Sequence, residues 1–253
     1  MFKSDPRQFI QSFLNFIKQL LVAHWRSLLV LLIGVYLPLQ VFEQLAMEIW
    51  KHQGGFPWDE PILLAIHATS QTQLDAFAQI LTKFGAFSSV LTVGAAIALV
   101  LFLQRRWRSL TYLLTSLIGS TIINRTAKIL LHRMRPQLWD SPSPELDYAF
   151  PSGHAMSSMA LVAALVILTW GNRWGKPILT FGSLFVVAIA WTRLYLGVHF
   201  PSDILAGWMV SLAWAVGVSL LIRPHLTLPV VNDDVPLDET TLLPQEAQLL
   251  RED

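Results

Sequence analysis

The chain has 253 residues, of which 53% are hydrophobic and 14% are charged, and its formal net charge at pH 7 is +1. A soluble globule of this size needs more polar surface than this composition supplies, so the composition favours a membrane protein. The near-zero charge without a basic stripe argues against a nucleic-acid partner, and the absence of cysteine excludes disulfides, thiolate metal ligands and cysteine nucleophiles.

Residues 1–26 are predicted to form a cytoplasmic amphipathic segment. Phe9, Phe13 and Phe16 recur at helical spacing with Lys18 among them, which is typical of a helix that lies in the membrane interface. An ordinary helix packed on the rest of the protein fits the same spacing.

Six stretches of the chain are apolar over most of the length that a membrane span needs. A helix crosses about 30 Å of hydrocarbon with about 20 residues. We therefore predict an all-α fold, a polytopic membrane helical bundle of six transmembrane helices in residues 27–222. The predicted spans are 27–45, 85–104, 109–131, 155–172, 177–196 and 204–222.

Two segments outside the predicted spans have a different character. The connection 43–84 is too polar to span, and 61–67 and 74–81 within it have the apolar pattern of short helices at the outer surface. Residues 223–253 are acidic and proline-containing, which predicts a disordered cytoplasmic tail.

The positive charges in the short loops predict the orientation. Lysine and arginine favour the cytoplasmic side, and with six spans they collect on one face together with both termini. Both termini are thus expected in the cytoplasm and the polar motifs on the extracytoplasmic side. The charges that set this orientation are Lys3, Arg7, Lys18, Arg26, Arg105, Arg106, Arg108, Arg173, Lys176 and Arg223.

The first polar motif lies at the end of the third predicted span. Lys128 and Arg135 are seven residues apart, which in one helix returns to the same face after about two turns, so both could bind one anion. Pro136 is then expected to end that helix. Each cation alone could instead be a side chain that reaches toward the interface and sets topology.

The second motif opens the fourth predicted span. Ser152 is a good N-cap, Gly153 permits close approach of the backbone, and the N–H groups at a helix start favour an anion. His154 would lie beside that anion. A histidine near an interface is, however, often purely structural.

The third motif joins the fifth and sixth predicted spans. Asp203 lies four residues after His199, so its carboxylate could orient the imidazole while the other ring nitrogen attacks, and Arg193 adds a third cation. Asp203 could also be a simple helix cap, with Ser202 at the capping position. We expect His199 in a water-facing pocket.

Taken together, the motifs supply cations, histidines and a carboxylate suited to binding a phosphate and attacking it. A divalent metal is the alternative, but the cations of the same motifs would repel it, so we expect no metal. The possible metal ligands would be His132, His154, His199, Asp140, Asp147 and Asp203.

The three motifs resemble the signature of the type 2 phosphatidic acid phosphatase superfamily. The chain reads KILLHRMRP from Lys128, PSGH from Pro151 and TRLYLGVHFPSD from Thr192, in the family's order and spacing. Thr192 replaces the usual serine and keeps a hydroxyl. The motifs extend from Lys128 to Asp203, and the six-span layout resembles the family more loosely over 27–222.

This resemblance implies a role for each motif residue. His199 would be the nucleophile that forms a phosphohistidine, Asp203 would orient it, and His154 would protonate the leaving group and then activate water. No cofactor or metal is implied. The phosphate oxygens would be bound by Lys128, Arg135, Ser152, Gly153 and Arg193.

The expected function is a metal-independent membrane phosphatase that acts on a lipid phosphate or pyrophosphate at the extracytoplasmic face. Its partners would be the bilayer and a substrate of the phosphatidic acid, phosphatidylglycerol phosphate or undecaprenyl pyrophosphate class. A soluble phosphate ester, a lipid phosphotransferase, a vanadate-dependent haloperoxidase and a catalytically silent scaffold remain alternatives. The sequence does not indicate an oligomeric state.

Overall fold

The structure is a computed structural model that describes residues 6–52, 55–141 and 143–225. Within these residues every regular element is a helix, which confirms the all-α class. A five-residue π-helical segment, Leu32–Tyr36, joins the first two α-helices. The α-helices are α1 Pro6–Leu31, α2 Leu37–Lys51, α3 Asp59–His67, α4 Thr72–Gly85, α5 Phe87–Leu103, α6 Trp107–Leu131, α7 Gly153–Thr169, α8 Gly175–Tyr195 and α9 Pro201–Ile222.

The first long helical stretch extends well beyond its predicted span of 27–45. Its apolar part covers Leu21–Lys51, and side chains such as Leu28, Val30 and Ile33 are exposed along it. Exposed apolar side chains are expected where a helix faces lipid rather than water. The end of α2 packs inward, where Leu45 and Ile49 join a buried cluster with residues of α6 and α9.

The connection predicted as an outer loop contains two helices, α3 and α4. They cover the segments 61–67 and 74–81 in which the sequence indicated short helices. Ala86 is extended between α4 and α5, and the two helices are bent by 44° at this break. Together the two helices are long and apolar enough to form one broken membrane span or a re-entrant loop.

The six predicted spans are not confirmed. Among the described residues, three stretches are long and apolar enough to cross a membrane, Leu21–Lys51, Gly175–Tyr195 and Pro201–Ile222, and the bent α4–α5 pair could make a fourth. The helix α7 is apolar but has only 17 residues. The helix α6 is long enough, but Arg125, Lys128 and several hydroxyl side chains lower its hydropathy.

The central helix of the bundle is α7, which packs against α6, α8 and α9. Small residues allow this close approach, since a side chain on Gly207 of α9 would meet the Ser152 carbonyl at 3.1 Å. The packing brings the end of α6 and the starts of α7 and α9 to one end of the bundle. The predicted tail lies outside the described residues from position 226 onward.

Candidate active site

The three sequence motifs meet at one end of the bundle. Lys128 lies in the last turn of α6, Ser152 is the N-cap of α7 and Asp203 lies in the first turn of α9. The Ser152 side chain accepts a hydrogen bond from the Ala155 N–H, which confirms the predicted cap. The termini of three helices therefore frame one polar site.

His199 lies in the short connection between α8 and α9, and its side chain is only 1% exposed. Its Nε2 atom is 3.1 Å from Arg135 Nη1, and its Nδ1 atom is 3.4 Å from Asp203 Oδ2. Nδ1 makes no hydrogen bond within the described part of the chain. The imidazole thus has one nitrogen toward a cation and the other toward a carboxylate, and the expected water-facing pocket is wrong.

Asp203 serves both as a helix cap and as the neighbour of His199. Its Oδ2 atom accepts a hydrogen bond from the Phe200 N–H at 2.8 Å. The N-cap of α9 is therefore Phe200, because Pro201 already occupies the first helical position, and the prediction of Ser202 as the capping residue is wrong. The carboxylate is fixed in place by this backbone contact.

A buried ion-pair network behind Asp203 was not predicted from the sequence. Arg133 Nη1 donates to Asp203 Oδ1 at 2.5 Å and to Ser202 Oγ at 2.7 Å, and Arg133 Nη2 donates to Asp59 Oδ2 at 2.7 Å. Both side chains of the Arg133–Asp59 pair are fully buried. The Arg133 Cζ atom also lies 4.2 Å from the ring centre of Phe200.

Asp59 brings the segment between α2 and α5 into this network. It accepts hydrogen bonds from the Ser202 N–H at 3.0 Å and from Ser202 Oγ at 2.6 Å, in addition to Arg133. A buried charge is tolerated when it is paired and hydrogen-bonded in this way. The connection predicted to lie at the outer surface thus supports the residue that faces His199.

The three predicted phosphate-binding cations, Lys128, Arg135 and Arg193, form a cation cluster held by two carboxylates of the α6–α7 connection. Lys128 Nζ donates to Asp147 Oδ2 at 2.5 Å. Arg135 Nη2 pairs with Asp147 and lies 2.6 Å from Glu145 Oε2, while Arg193 pairs with the same glutamate. We call Glu145 and Asp147 the carboxylate pair.

Lys128 and Arg135 do not lie on one helix, so the prediction that they share one helix face is wrong. The helix α6 ends at Leu131, and His132 adopts a left-handed conformation with φ 48°. Arg135 precedes Pro136, which disfavours helical backbone at that position. The two cations converge because the chain folds back after α6 and both reach the same Asp147 carboxylate.

The carboxylate pair remains ionised although it is partly shielded from water. Burial opposes ionisation of Glu145, but Arg193 and Arg135 outweigh it and lower the pKa of this carboxyl group below its usual value. For Asp147, burial is likewise outweighed, by Lys128 and then Arg135, so its pKa is also lowered. Both side chains therefore act as anions in the cation cluster.

The surroundings of His199 favour the neutral imidazole. Burial is the main cause that lowers the pKa of His199 well below its usual value, and Arg135, Arg193 and Lys128 lower it further. A neutral ring has an unprotonated nitrogen available for attack on phosphorus at neutral pH.

The lowered pKa of His199 predicts an acid-dependent loss of stability. The unfolded chain binds a proton at this histidine below about pH 6.5 and the folded chain does not, so stability is complete above that pH and falls below it. At pH 5 the folded protein is therefore expected to be less stable than at pH 7.5.

The check is the thermal unfolding midpoint of the detergent-solubilised protein at pH 7.5 and pH 5, compared with His199→Asn. The wild type should lose more stability than the variant between the two pH values. An equal loss in both proteins would show that His199 does not contribute.

A cavity of about 370 Å³ reaches this site from between α5, α6 and α7. Its charged and titratable lining consists of Arg125, Lys128, His154 and the carboxylate pair. Its other walls are mostly apolar and come from all three helices. The apolar lining residues are Phe87, Val90, Leu91, Leu117, Ile118, Ile122, Met156 and Ala160. The cavity therefore combines an apolar groove with a charged end.

Thr192 and the side chains considered as metal ligands can also be located in the structure. Thr192, at the position where the family usually has serine, is buried and donates from Oγ1 to the carbonyl of Ile189 at 2.6 Å, so its hydroxyl bonds to its own helix. Within the described residues, no group of three or more histidine, aspartate and glutamate side chains is arranged to hold a metal ion.

Comparison with known proteins finds a family model that matches the region of this arrangement. Residues 109–225 match the model of the PAP2 superfamily, and this region contains all three motifs and His199. Its similar proteins and structural neighbours are PAP2-type lipid phosphatases. The match covers nearly all of the helices α6 to α9, so this region is similar to the PAP2 superfamily.

The similar proteins are named phosphatases of lipid phosphates or diphosphates. An undecaprenyl-diphosphatase of Sulfolobus acidocaldarius is 28% identical over 131 residues, which are 50% of this chain and 61% of that protein. A phosphatidylglycerophosphatase B of Bacillus subtilis is 28% identical over 161 residues, 61% of this chain and 78% of its own length. The chain thus spans less than two thirds of the first protein and more of the second.

The crystal structure of a transmembrane PAP2 type phosphatidylglycerolphosphate phosphatase from Bacillus subtilis is similar to this fold. Its TM-score is 0.67 at 25% identity, and the match covers 77% of this chain and 100% of the other. The apolar helices and these membrane relatives together indicate an integral membrane protein.

Proposed function

We propose that this protein is a metal-independent phosphatase that hydrolyses a lipid phosphate or diphosphate through a phosphohistidine on His199. The observation that carries the proposal is the position of His199, with Nε2 beside Arg135 at 3.1 Å and Nδ1 beside Asp203 at 3.4 Å. A nucleophile, its orienting carboxylate and an anion-binding cation are in contact in one buried site.

The cation cluster supports a phosphoryl substrate. Phosphoryl transfer spreads negative charge over three equatorial oxygens, and catalysis depends on positioned cations and N–H groups. The cluster supplies an ammonium and two guanidinium groups that already hold two anionic side chains. The start of α7 adds backbone N–H groups after Ser152 and Gly153.

The cavity supports a lipid as the substrate. Its apolar walls between α5, α6 and α7 can hold hydrocarbon, while its charged end reaches Lys128 and His154. A lipid phosphate has this same division into an apolar chain and a charged headgroup. The classes named in the relatives, undecaprenyl diphosphate and phosphatidylglycerol phosphate, are therefore the first substrates to test.

The proposed membrane arrangement keeps six crossings. In it, α6 and α7 cross together with the apolar helices, because the buried polar side chains of α6, such as Ser120 and Lys128, face neighbouring helices and the site rather than lipid. For example, Ser120 Oγ lies 3.5 Å from Ser211 Oγ of α9. The basic α5–α6 connection with Arg105 and Arg106 then lies in the cytoplasm with both termini, and the site faces the extracytoplasmic side.

The proposed reaction has two steps. In the first, His199 Nε2 forms a bond to phosphorus while the bond to the leaving oxygen breaks, and His154 gives that oxygen a proton. In the second, His154 removes a proton from water, which attacks the phosphohistidine and releases inorganic phosphate and the free imidazole. Asp203 holds the Nδ1 side of the ring throughout, and the cation cluster binds the phosphoryl oxygens.

The experiment is phosphate release by the purified protein in detergent with excess EDTA. Phosphatidic acid, phosphatidylglycerol phosphate, undecaprenyl diphosphate and glucose 6-phosphate are compared as substrates, so that lipid and soluble phosphates are both represented. Release from the lipids is the expected result. No release from any of the four, with transfer of phosphate to an added alcohol instead, would favour a phosphotransferase.

Orthovanadate should inhibit this activity. Vanadate adopts the five-coordinate geometry of phosphorus under attack, so it should bind where His199 and the cation cluster meet. We expect inhibition that is competitive with the lipid substrate, measured as a rise in KM at fixed kcat. Full activity in excess vanadate would contradict the phosphohistidine mechanism.

A further inference from the structure

The carboxylate pair occupies the cation cluster in the way that a bound phosphate would. Three cations share two carboxylates: Lys128 pairs with Asp147, Arg193 pairs with Glu145, and Arg135 pairs with both. The three cations proposed to bind the substrate's phosphate are therefore already paired. The net charge of the three cations and two carboxylates together is +1.

The same two side chains line the cavity, whereas the proposed nucleophile does not. The cavity lining includes Glu145 and Asp147, but among the described residues it includes neither His199 nor the two arginines of the cation cluster. The His199 side chain is 1% exposed. A headgroup that enters along the cavity meets the carboxylate pair before it can reach Nε2.

We propose that Glu145, assisted by Asp147, is an internal anion that the substrate has to displace, and that this competition selects phosphomonoesters and diphosphates over phosphodiester lipids. The proposal rests on the proposed phosphatase function. It makes the carboxylate pair a specificity determinant, because phosphodiesters are the abundant anionic lipids of a bilayer and would otherwise fill the cation cluster.

The selectivity follows from charge. A phosphodiester carries one negative charge, whereas a phosphomonoester carries about 1.5 to 2 at neutral pH and a diphosphate carries more. A tethered carboxylate competes at an effective concentration of about millimolar. A phosphodiester, with one negative charge, gains little binding energy by replacing the carboxylate. A phosphomonoester dianion can accept charge-assisted hydrogen bonds from all three cations at once.

Displacement is compatible with the surroundings of the pair. The side chain of Asp147 is 59% exposed and that of Glu145 is 28% exposed, so both carboxylates can move toward water without becoming buried and unpaired. Both belong to the connection between α6 and α7 rather than to a helix. The cations, in contrast, belong to α6, to α8 and to the first residues of the connection, so they are held more firmly than the carboxylates.

The test uses Glu145→Gln, which keeps the size of the side chain and removes its charge. The full-length protein in detergent is titrated with orthovanadate by thermal shift, which requires no turnover, and phosphatidic acid hydrolysis is measured in mixed micelles with increasing phosphatidylglycerol. Asp140→Asn is the matched control, because Asp140 is an exposed carboxylate of the same connection with no ion pair among the described residues.

We expect Glu145→Gln to bind orthovanadate about tenfold more tightly than the wild type and to become inhibited by phosphatidylglycerol, which the wild type and Asp140→Asn tolerate. Equal or weaker orthovanadate binding in the variant, or no binding in any of the proteins, would overturn the proposal. If Glu145→Gln does not fold, Asp147→Asn carries the same comparison with the same criteria.

The two proposals can fail separately. Tighter orthovanadate binding by Glu145→Gln, without hydrolysis of any phosphate ester by the wild type, would support the internal anion and refute the phosphatase. Hydrolysis by the wild type with unchanged orthovanadate binding in the variant would support the phosphatase and refute the internal anion.

Discussion

Replacement of His199 with asparagine should abolish phosphate release, with a loss of at least about 10⁴-fold in kcat on every substrate. Asparagine keeps a polar side chain beside Asp203 but offers no nitrogen that can form a phosphoramidate bond. The cation cluster remains but the attacking nitrogen is lost, so the variant should bind orthovanadate more weakly than the wild type. The measurement is phosphate release together with an orthovanadate thermal-shift titration.

The control for this variant is His52→Ala. His52 is an exposed histidine, 68% accessible, whose only side-chain partner among the described residues is Glu48. This control should keep full activity. An active His199→Asn enzyme would show that another residue is the nucleophile. Orthovanadate binding as tight as in the wild type would show that His199 does not contact the bound anion.

Replacement of Arg133 with methionine should have the second largest effect, on stability as well as on activity. Methionine fills a similar volume but leaves Asp59 and Asp203 as buried carboxylates without their shared cation, which costs about 3–5 kcal/mol. Release of Asp203 would also misplace His199, which should lower kcat by about 10²-fold. Thermal unfolding midpoints and steady-state kinetics in detergent check both effects.

Two further variants separate charge from packing at this network. Arg106→Met removes an exposed arginine from the α5–α6 connection, and it should change neither the thermal unfolding midpoint nor kcat. Asp59→Asn combined with Arg133→Met removes one unpaired charge, so it should regain part of the lost stability but little of the activity. A single Arg133→Met variant with wild-type stability and kcat would show that the network does not position Asp203.

The convergence of the motifs could be predicted from the sequence because their chemistry and spacing restrict the possible arrangements. The serine and glycine before an apolar run predict a capped helix start, and Ser152 is the cap of α7. Asp203, four residues after His199, was expected near the imidazole, and the structure places it there at 3.4 Å. Local patterns of this kind depend on short-range geometry that a sequence reveals.

Contacts that depend on the path of irregular segments could not be predicted. Arg133 lies between His132 and Arg135, and nothing in the sequence indicates that Arg133 is buried while Arg135 faces the site. The chain leaves α6 through the left-handed backbone at His132, just before both arginines. Asp59 is 144 residues from Asp203, so its part in the same network depends on how α3 packs against α9.

The carboxylate pair illustrates a second limit of sequence interpretation. Glu145 and Asp147 lie in a connection without periodicity, and acidic residues in such segments usually face solvent. Only the fold brings this connection over the cation cluster. The signal that could have been used is charge balance, because three fixed cations at one site require anions when no substrate is bound.

The six predicted spans were not confirmed for a different reason. A criterion based on length and hydropathy assumes that the whole helix faces lipid, and α6 and α7 do not meet that assumption. Both helices carry residues of the site, so α6 includes charged and hydroxyl side chains, and α7 is largely buried and has only 17 residues.

The most direct test of the central claim is to trap the covalent intermediate. The wild-type protein is mixed with ³²P-labelled lipid phosphate, quenched within milliseconds in alkali, digested and analysed for phosphohistidine, which survives alkali and is lost in acid. Label on the peptide that contains His199, absent from His199→Asn, is the predicted result. Rapid phosphate release with no labelled histidine at any time point would contradict the phosphohistidine mechanism.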